Sequence, residues 1–263
     1  MHTAFVYTYE ETSLFNYILY KRLLKNCKKK EKICDIEFDS YGIPVYKNKF
    51  YSKHAELIKQ YLKEENIQSV LLSDGTDRRV KNFLSLHFSI IDGNKVIENK
   101  VYDILKKCVE KKESEIEKST VVIRTNDNYN LQNFILQMYR YVKKIKIETE
   151  NKEKFTELTE YFMREYGLYI DVESNVKDKE EIVISYGSNS NKKADFYFNS
   201  KENKQKVLFK MKKGENTIKN YKEIDQALIE FLIYKKNLMV NSEQICGFMK
   251  EYKVRIAKIE NND

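Results

Sequence analysis

Residues 120–147 read TVVIRTNDNYNLQNFILQMYRYVKKIKI and decide the fold of the second half of the chain. The stretch begins with the apolar run Val121-Val122-Ile123, which is typical of a strand buried on both faces. Apolar side chains then recur with the 3.6-residue period of a helix, at Leu131, Phe134, Ile135, Met138 and Val142. Ile145-Lys146-Ile147 follows as a second strand. The stretch therefore predicts a β-α-β unit.

A second unit of the same kind comes next along the chain. Asn151 suits the start of a helix and Gly167 suits its end. Between them the periodic apolar residues are Phe155, Leu158, Phe162 and Tyr166. Residues 168–172 then read as a strand. Two successive βα units favour a right-handed parallel sheet.

The remaining C-terminal elements are less regular. Strands are predicted at residues 182–185, 194–198 and 206–211, and helices at 224–232 and 245–249. The first two of these strands have connections of about eight residues, which is short for helical crossovers. Connections of this length are compatible with irregular crossovers between parallel strands and with antiparallel neighbouring strands.

The first third of the chain has its own β-α-β-α-β pattern, with strands at 3–9, 34–38 and 69–72 and helices at 14–23 and 57–62. Residues 87–91 and 95–97 flank the turn Asp92-Gly93-Asn94 and predict a hairpin. A charged helix from 101 to 117 is expected to connect the two domains. We therefore predict two α/β domains, residues 1–112 and 113–263. The C-terminal one is expected to be a Rossmann-like, mostly parallel sheet with flanking helices.

The amino-acid composition indicates a folded globular protein. The 263 residues are 41% hydrophobic and include 20 Tyr and 14 Phe, enough to bury more than one core. No apolar run reaches the ~18 residues of a membrane span and no secretory signal is evident, so we expect a cytoplasmic protein with no membrane partner. The net charge of +8 permits a nucleic-acid partner, although excess lysine is also typical of AT-rich bacterial genomes. Four cysteines without CxxC spacing and three scattered histidines predict no metal site.

The loop after the first strand of the second domain is the place to look for a cofactor, because ligands bind beyond the carboxyl ends of parallel strands. Its candidate cofactor-binding residues are Thr125, Asn126, Asp127 and Asn130. Ser185, Gly187 and Ser188 follow a later strand and are expected to face the same crevice. The loop has no glycine for the dinucleotide fingerprint, and Asp127 would repel a phosphate. A helix-capping loop is the alternative interpretation.

A polar loop after residues 69–72 is the candidate ligand site of the N-terminal domain. It contains Asp74, Thr76, Arg78 and Arg79, and its two guanidinium groups are suited to hold an anion in bidentate fashion. A salt-bridged turn is the alternative. Neither a GxxxxGK[ST] phosphate loop nor a GxSxG nucleophile elbow occurs in the chain.

The order of elements resembles that of the shikimate dehydrogenase-like proteins, in which a substrate domain precedes a Rossmann domain. Ser13 lies where that family has its serine-rich substrate loop, without the expected proline and histidine. Residues 73–78 take the place of the stretch that carries the family's catalytic lysine, and the lysine is missing. Asn99 and Asp103 stand near the position of its aspartate at a different spacing. The resemblance implies a relative that kept the scaffold and lost the reaction.

Three hypotheses follow for the function. The first is a non-catalytic protein that binds a small molecule or a protein partner and needs no cofactor. The second is an NAD(P)-dependent oxidoreductase with an atypical cofactor loop at residues 125–130. The third is a nucleic-acid-binding protein that uses the basic run 21–32 together with stacking tyrosines. Its second patch consists of Tyr139, Arg140, Tyr141, Lys143, Lys144 and Lys146.

Overall fold

The computed structural model describes residues 2–11, 28–46, 52–73, 76–175, 182–187, 193–198, 205–211, 222–237 and 239–261. The protein has an α/β fold that divides into two compact units. The first unit consists of Met1–Gly93, Met211–Lys222 and Ala227–Val254. The second consists of Asn94–Lys210, Glu223–Gln226 and Arg255–Asp263.

The first unit is built on a five-stranded sheet. Its strands are β1 (His2–Glu10), β2 (Lys28–Ile33), β3 (Ile36–Val45), β4 (Ile67–Leu72) and β5 (Ser89–Ile90), in the order β2-β3-β1-β4-β5. All pairs are parallel except β2 with β3. Helices α1 (Ser52–Glu64) and α2 (Arg78–Ser85) connect the strands. The apolar core includes Val6, Ile43 and Val70 of the sheet with Leu62 and Leu84 of the helices.

The second unit contains a parallel sheet with the strand order of a Rossmann fold. Its strands are β6 (Thr120–Arg124), β7 (Lys144–Glu148), β8 (Asp171–Glu173), β9 (Ile182–Tyr186) and β10 (Phe196–Phe198), in the order β10-β9-β6-β7-β8. The first strand is central, the next two lie on one side and the last two on the other, which is the 3-2-1-4-5 order. All neighbours are parallel, so the predicted Rossmann-like sheet is confirmed.

The helices of the second unit are α3 (Asn94–Glu98), α4 (Val101–Lys111), α5 (Leu131–Leu136) and α6 (Thr156–Tyr166). Short 3-10 turns occupy Ile116–Lys118 and Glu153–Phe155. A further sheet is formed by β11 (Gln205–Met211), β12 (Lys222–Asp225) and β13 (Arg255–Asn261), with β11 antiparallel to β13. Helices α7 (Gln226–Asn237) and α8 (Ser242–Glu251) lie between β12 and β13 in the chain.

The two faces of the parallel sheet differ in chemistry. Side chains alternate along a strand, so the register places Ile123 and Ile147 on one face and Arg124 and Glu148 on the other. The apolar face packs against α5, where the Phe134 ring contacts aromatic rings of β9 and β10. The opposite face carries a ladder of ion pairs: Arg124–Glu148, Lys144–Asp171 and Lys146–Glu173. Two of the lysines that the sequence assigns to a nucleic-acid patch are therefore paired with carboxylates.

Two predictions for the N-terminal third are corrected. The hairpin at residues 87–97 is wrong, because β5 pairs in parallel with β4 and residues 94–98 form α3, where Val96 and Ile97 are buried. The single strand predicted at 34–38 is a pair of strands, β2 and β3, and residues 28–32 of the basic run 21–32 belong to the edge strand β2. Lysines on an edge strand discourage pairing with other chains. The predicted helix at 14–23 lies outside the described residues.

Candidate ligand sites

The loop at the carboxyl end of β6 is closed by its own hydrogen bonds. The Thr125 hydroxyl donates to the Asp127 carbonyl at 2.8 Å and accepts from the Asp127 N–H at 3.0 Å. The Asp127 carboxylate accepts from the Tyr129 N–H, and Lys154 lies 3.6 Å from it. The loop is thus folded into consecutive side-chain turns, of the kind that Thr and Asp form with nearby backbone groups.

The remaining residues of this loop are also engaged. The Asn126 Oδ1 atom accepts from the Thr149 hydroxyl at 3.2 Å, and its carbonyl accepts from Lys154 at 3.0 Å. Asn130 has a left-handed backbone with φ of 56° and accepts from the Asn133 amide. Helix α5 after it has six residues. Asn supplies here the backbone conformation that glycine would otherwise provide.

The point where the strand order reverses lies between β6 and β9. Here the Arg124 guanidinium donates to Glu148 at 3.0 Å and to the Lys193 carbonyl at 3.0 Å. The Glu148 side chain is 4% exposed and that of Arg124 is 14% exposed. An arginine with a carboxylate partner thus occupies the edge at which doubly wound sheets bind their ligands.

The second predicted loop of the crevice is described only in part. Ser185 is buried within β9, in register with Arg124. Gly187 has a left-handed backbone with φ of 81°, and its N–H donates to the Phe198 carbonyl at 2.9 Å. Ser188 lies outside the described residues. The assignment of these residues to a cofactor stays a prediction.

The candidate ligand site of the first unit contains a capped helix. The Asp77 carboxylate accepts from the Arg79 backbone N–H at 2.9 Å and from the Arg79 guanidinium at 2.9 Å and 2.7 Å. Thr76 pairs with the Ser73 hydroxyl at 3.0 Å, and Arg78 is exposed. Asp74 and Ser13 lie outside the described residues. The bidentate partner of Arg79 in this structure is therefore a carboxylate of the same turn.

The Asp77 cap gives a prediction that separates its two roles. Asp77→Ala should lower the free energy of unfolding by about 1 kcal/mol, the usual cost of losing an N-cap. Asp77→Asn keeps the capping oxygen and removes the ion pair, so we expect a smaller loss. Chemical denaturation at neutral pH measures both variants.

The same cap predicts a dependence on pH. The side-chain hydrogen bond from Arg79 lowers the pKa of Asp77. A lowered folded-state pKa stabilises the fold above the ordinary carboxyl pKa of ~3.9, and this contribution is lost as the pH falls through the folded-state value. The stability difference between Asp77→Asn and the parent should therefore vanish in acid. A difference that persists at low pH would contradict the ion-pair account.

A cavity of about 430 Å³ lies elsewhere in the second unit. It is lined by four tyrosines, two cations, one carboxylate, two amides and a leucine: Tyr102, Tyr139, Tyr141, Tyr166, Lys100, Arg140, Asp103, Asn99, Gln137 and Leu136. We call it the tyrosine cavity. Most of these residues precede β7 or β8 in the chain or flank the start of α4. The cavity therefore lies towards the amino ends of β7 and β8, away from the predicted crevice.

The rings of the tyrosine cavity form two pairs. The Tyr102 and Tyr141 ring centroids are 4.3 Å apart with a tilt of 45°. The Tyr139 and Tyr166 centroids are 5.3 Å apart in an edge-to-face arrangement. Tyr141 is 46% exposed and Tyr166 is 39% exposed, so part of each pair is open to solvent. Exposed aromatic faces of this kind bind planar ligands by stacking.

Three further features concern metal binding, membrane-spanning helices and cysteine chemistry in the described part of the chain. It contains no group of three His, Cys, Asp or Glu residues arranged for a metal ion. No described helix has the length and apolar character to cross a membrane. Cys34 and Cys246 are exposed, whereas burial raises the pKa of the Cys108 thiol to about 12. Cys108 therefore remains a neutral thiol in the core.

Comparison with known proteins shows only a distant similarity of fold to solved structures. No family model and no curated protein sequence matches the chain. The solved structures that it resembles include Rossmann-type dehydrogenases. L-tryptophan dehydrogenase from Nostoc punctiforme is 9% identical with a TM-score of 0.33, covering 71% of this chain and 56% of that protein. The ligand-free 5-ketofructose reductase of Gluconobacter sp. strain CHM43 is 7% identical with a TM-score of 0.31, covering 95% and 98%.

Shikimate dehydrogenase 1 from Peptoclostridium difficile is also among these structures. It is 8% identical with a TM-score of 0.25, and the match covers 96% of this chain and 98% of that protein. The weak resemblance stated from the sequence thus recurs in the comparison of structures. At these identities and TM-scores it carries no statement about activity.

Sequence reasoning named some members of the tyrosine cavity and missed others. The sequence assigns Tyr139 and Tyr141 to stacking on a nucleic acid and Arg140 to the basic patch beside them, and all three line the cavity. Tyr102 and Tyr166 were read as helix positions, because each lies in an amphipathic segment. The signal that points to them is their tyrosine hydroxyl, which suits a partly exposed ring better than a core position.

Proposed function

We propose that the chain is a ligand-binding α/β protein that takes a planar aromatic ligand in the tyrosine cavity. The observation that supports this is the convergence of four tyrosine rings from separate segments on one space of about 430 Å³. Small-molecule pockets have volumes of ~300–1,000 Å³ and combine aromatic walls with a few polar groups. Arg140, Lys100 and Asp103 supply charged groups, and Gln137 and Asn99 supply amides.

The proposal includes the absence of nicotinamide-dependent hydride transfer at the predicted crevice. The hydrogen bonds of Thr125 and Asp127 within the loop, and that of Asn126 with Thr149, support this part. A pyrophosphate at this edge would need glycine-like close approach of the backbone and would meet the carboxylate of Asp127. The chain would then combine a Rossmann strand order with a binding site at another place. This agrees with the non-catalytic binding protein expected from the sequence.

Thermal unfolding in the presence of planar probes tests this proposal. Adenine and indole, each at millimolar concentration, should raise the Tm by several degrees if either occupies the cavity, because a ligand that binds the folded state stabilises it. Tyr102→Leu/Tyr141→Leu should abolish the rise, since both stacking faces of one ring pair are removed. Tyr129→Leu is the matched control, because Tyr129 is 81% exposed and lies outside the cavity.

Two results would contradict the proposal. One is that neither probe changes the Tm of the parent protein. The other is a rise that survives Tyr102→Leu/Tyr141→Leu and is lost in Asn126→Ala, which would place the ligand at the carboxyl edge of the sheet. Circular dichroism of the double variant confirms that loss of binding is not loss of folding.

A further inference from the structure

We infer that the ligand of the tyrosine cavity is a nucleobase carrying a phosphate, an inference that rests on the proposed function and names its ligand class. Such a ligand presents a flat ring, a hydrogen-bonding ring edge and a dianionic group. Each of these three features has a counterpart in the cavity, in its rings, its amides and its arginine.

The ring pairs provide the stacking surface. Tyr102 and Tyr141 form one wall and Tyr139 and Tyr166 another, with the second pair also in contact with Tyr161. Aromatic side chains bind unpaired bases by stacking, at ~1–3 kcal/mol for each base. Two tyrosine pairs that are partly open to solvent are thus suited to receive a base.

Arg140 provides the phosphate contact. Its Nε donates to the Tyr139 hydroxyl at 2.7 Å, and its guanidinium carbon lies 5.4 Å from the centroid of the Tyr139 ring. The Tyr139 side chain therefore holds the guanidinium beside the cavity. Both Nη groups have no partner among the residues that the structure describes. A guanidinium whose two amino groups have no partner among the described residues is suited to bind a phosphate in bidentate fashion.

The remaining charges of the cavity favour an anion near Arg140. Lys100 donates to Asp103 at 2.9 Å, so the one lining carboxylate already has a cationic partner. With two cations and one carboxylate, the lining carries a net charge of +1 (2 − 1).

The amides provide groups for the edge of a base. The Gln137 side-chain amide has no hydrogen-bond partner among the described residues, so a donor and an acceptor are both available. The Asn99 amide nitrogen donates to the Lys95 carbonyl at 2.8 Å. This bond orients the side chain and leaves its oxygen as an acceptor. Base edges present adjacent donors and acceptors of this kind.

Calorimetric titration with AMP and with adenosine tests the inference, because the two ligands differ only in the phosphate. We expect AMP to bind the parent protein more tightly than adenosine. Arg140→Gln should weaken AMP binding about tenfold, the equivalent of one lost charge-assisted contact, and leave adenosine binding unchanged. Arg164→Gln is the matched control, because Arg164 is an exposed arginine of the same unit outside the cavity.

A fluorescent variant tests the stacking independently. The chain contains no tryptophan, so Tyr141→Trp introduces a single reporter at a half-exposed position of the cavity. Titration with AMP should quench its emission in a saturable manner. Tyr129→Trp should show no saturable quenching, because it lies outside the cavity.

Two sources of this chemistry are a free nucleotide and single-stranded RNA. Titration with an adenylate octamer separates them: tighter binding than AMP, with a steep dependence on salt, identifies RNA, whereas equal affinity identifies the free nucleotide. Equal affinities of AMP and adenosine, with no effect of Arg140→Gln, would overturn the inference. If adenine or indole still bound in that case, the proposed function would stand. If no planar probe bound, both would fail.

Discussion

Arg124→Ala is expected to lower the free energy of unfolding by about 3–5 kcal/mol, because it leaves a buried carboxylate without its guanidinium partner. The Glu148 side chain is 4% exposed and receives the Arg124 Nη2 at 3.0 Å. The two residues are in register on neighbouring parallel strands, so the pair joins β6 to β7. Urea denaturation of the variant and the parent measures the difference.

A double variant shows whether the loss comes from removing only one charge of the pair. Arg124→Met/Glu148→Met removes both charges and keeps most of the side-chain volume, and such replacements are often neutral or stabilising. We therefore expect the double variant to be more stable than Arg124→Ala. A loss below about 1 kcal/mol for Arg124→Ala itself would show that Glu148 does not depend on this partner.

Phe134→Ala is expected to cost about 3–5 kcal/mol, the range for removal of a buried aromatic ring. Phe134 is 2% exposed, and its ring lies 4.8 Å from that of Tyr186 and 4.7 Å from that of Phe198. These partners come from β9 and β10, so the variant probes the packing of α5 on that half of the sheet. Denaturation in urea measures the loss.

Gln132→Ala on the same helix is the control for this prediction. Gln132 is exposed, and exposed substitutions away from special features change stability by about 0.5 kcal/mol or less. If Phe134→Ala were as mild as Gln132→Ala, the aromatic cluster formed by α5, β9 and β10 would be contradicted. The comparison separates loss of packing from a change in helix propensity.

The sequence predicted the central part of the fold well, for a physical reason. Strands that are buried on both faces need continuous apolar runs, and Val121-Val122-Ile123 is such a run in the centre of the sheet. The helices after it have 3.6-residue periods because one face packs on the sheet, but α5 ends at Leu136, before Met138 and Val142 of the predicted period. The parallel order follows from these successive βα units.

Other elements could not be predicted, because the interactions that determine them involve residues far away in the sequence. The Asp92-Gly93-Asn94 turn signal suggested a hairpin, but β5 pairs with β4 and the buried Val96 and Ile97 belong to a helix. Strand β2 consists mainly of charged residues, and it forms because β3 offers it an open edge. The strands β9 and β10 gave no local sign of their parallel orientation.

Of the two candidate sites in the second unit, the sequence predicts the loop and does not predict the cavity. The loop at residues 125–130 was predictable, because it follows a strong strand signal. Its hydrogen bonds with Thr149 and Lys154 were not predictable, because these two residues lie far along the sequence. The residues that line the tyrosine cavity come mainly from α4, the segment before β7 and the end of α6, so no single sequence motif reveals it.

Hydrogen exchange with and without AMP, and with and without NADH, tests the central claim, which is that the ligand site is the tyrosine cavity. We expect both compounds to slow exchange at residues 99–103 and 137–141 and to leave residues 125–130 unchanged, since both contain an adenine nucleotide. Slower exchange at residues 125–130 and 185–187 with NADH, and no change around the tyrosine cavity with either compound, would contradict the account.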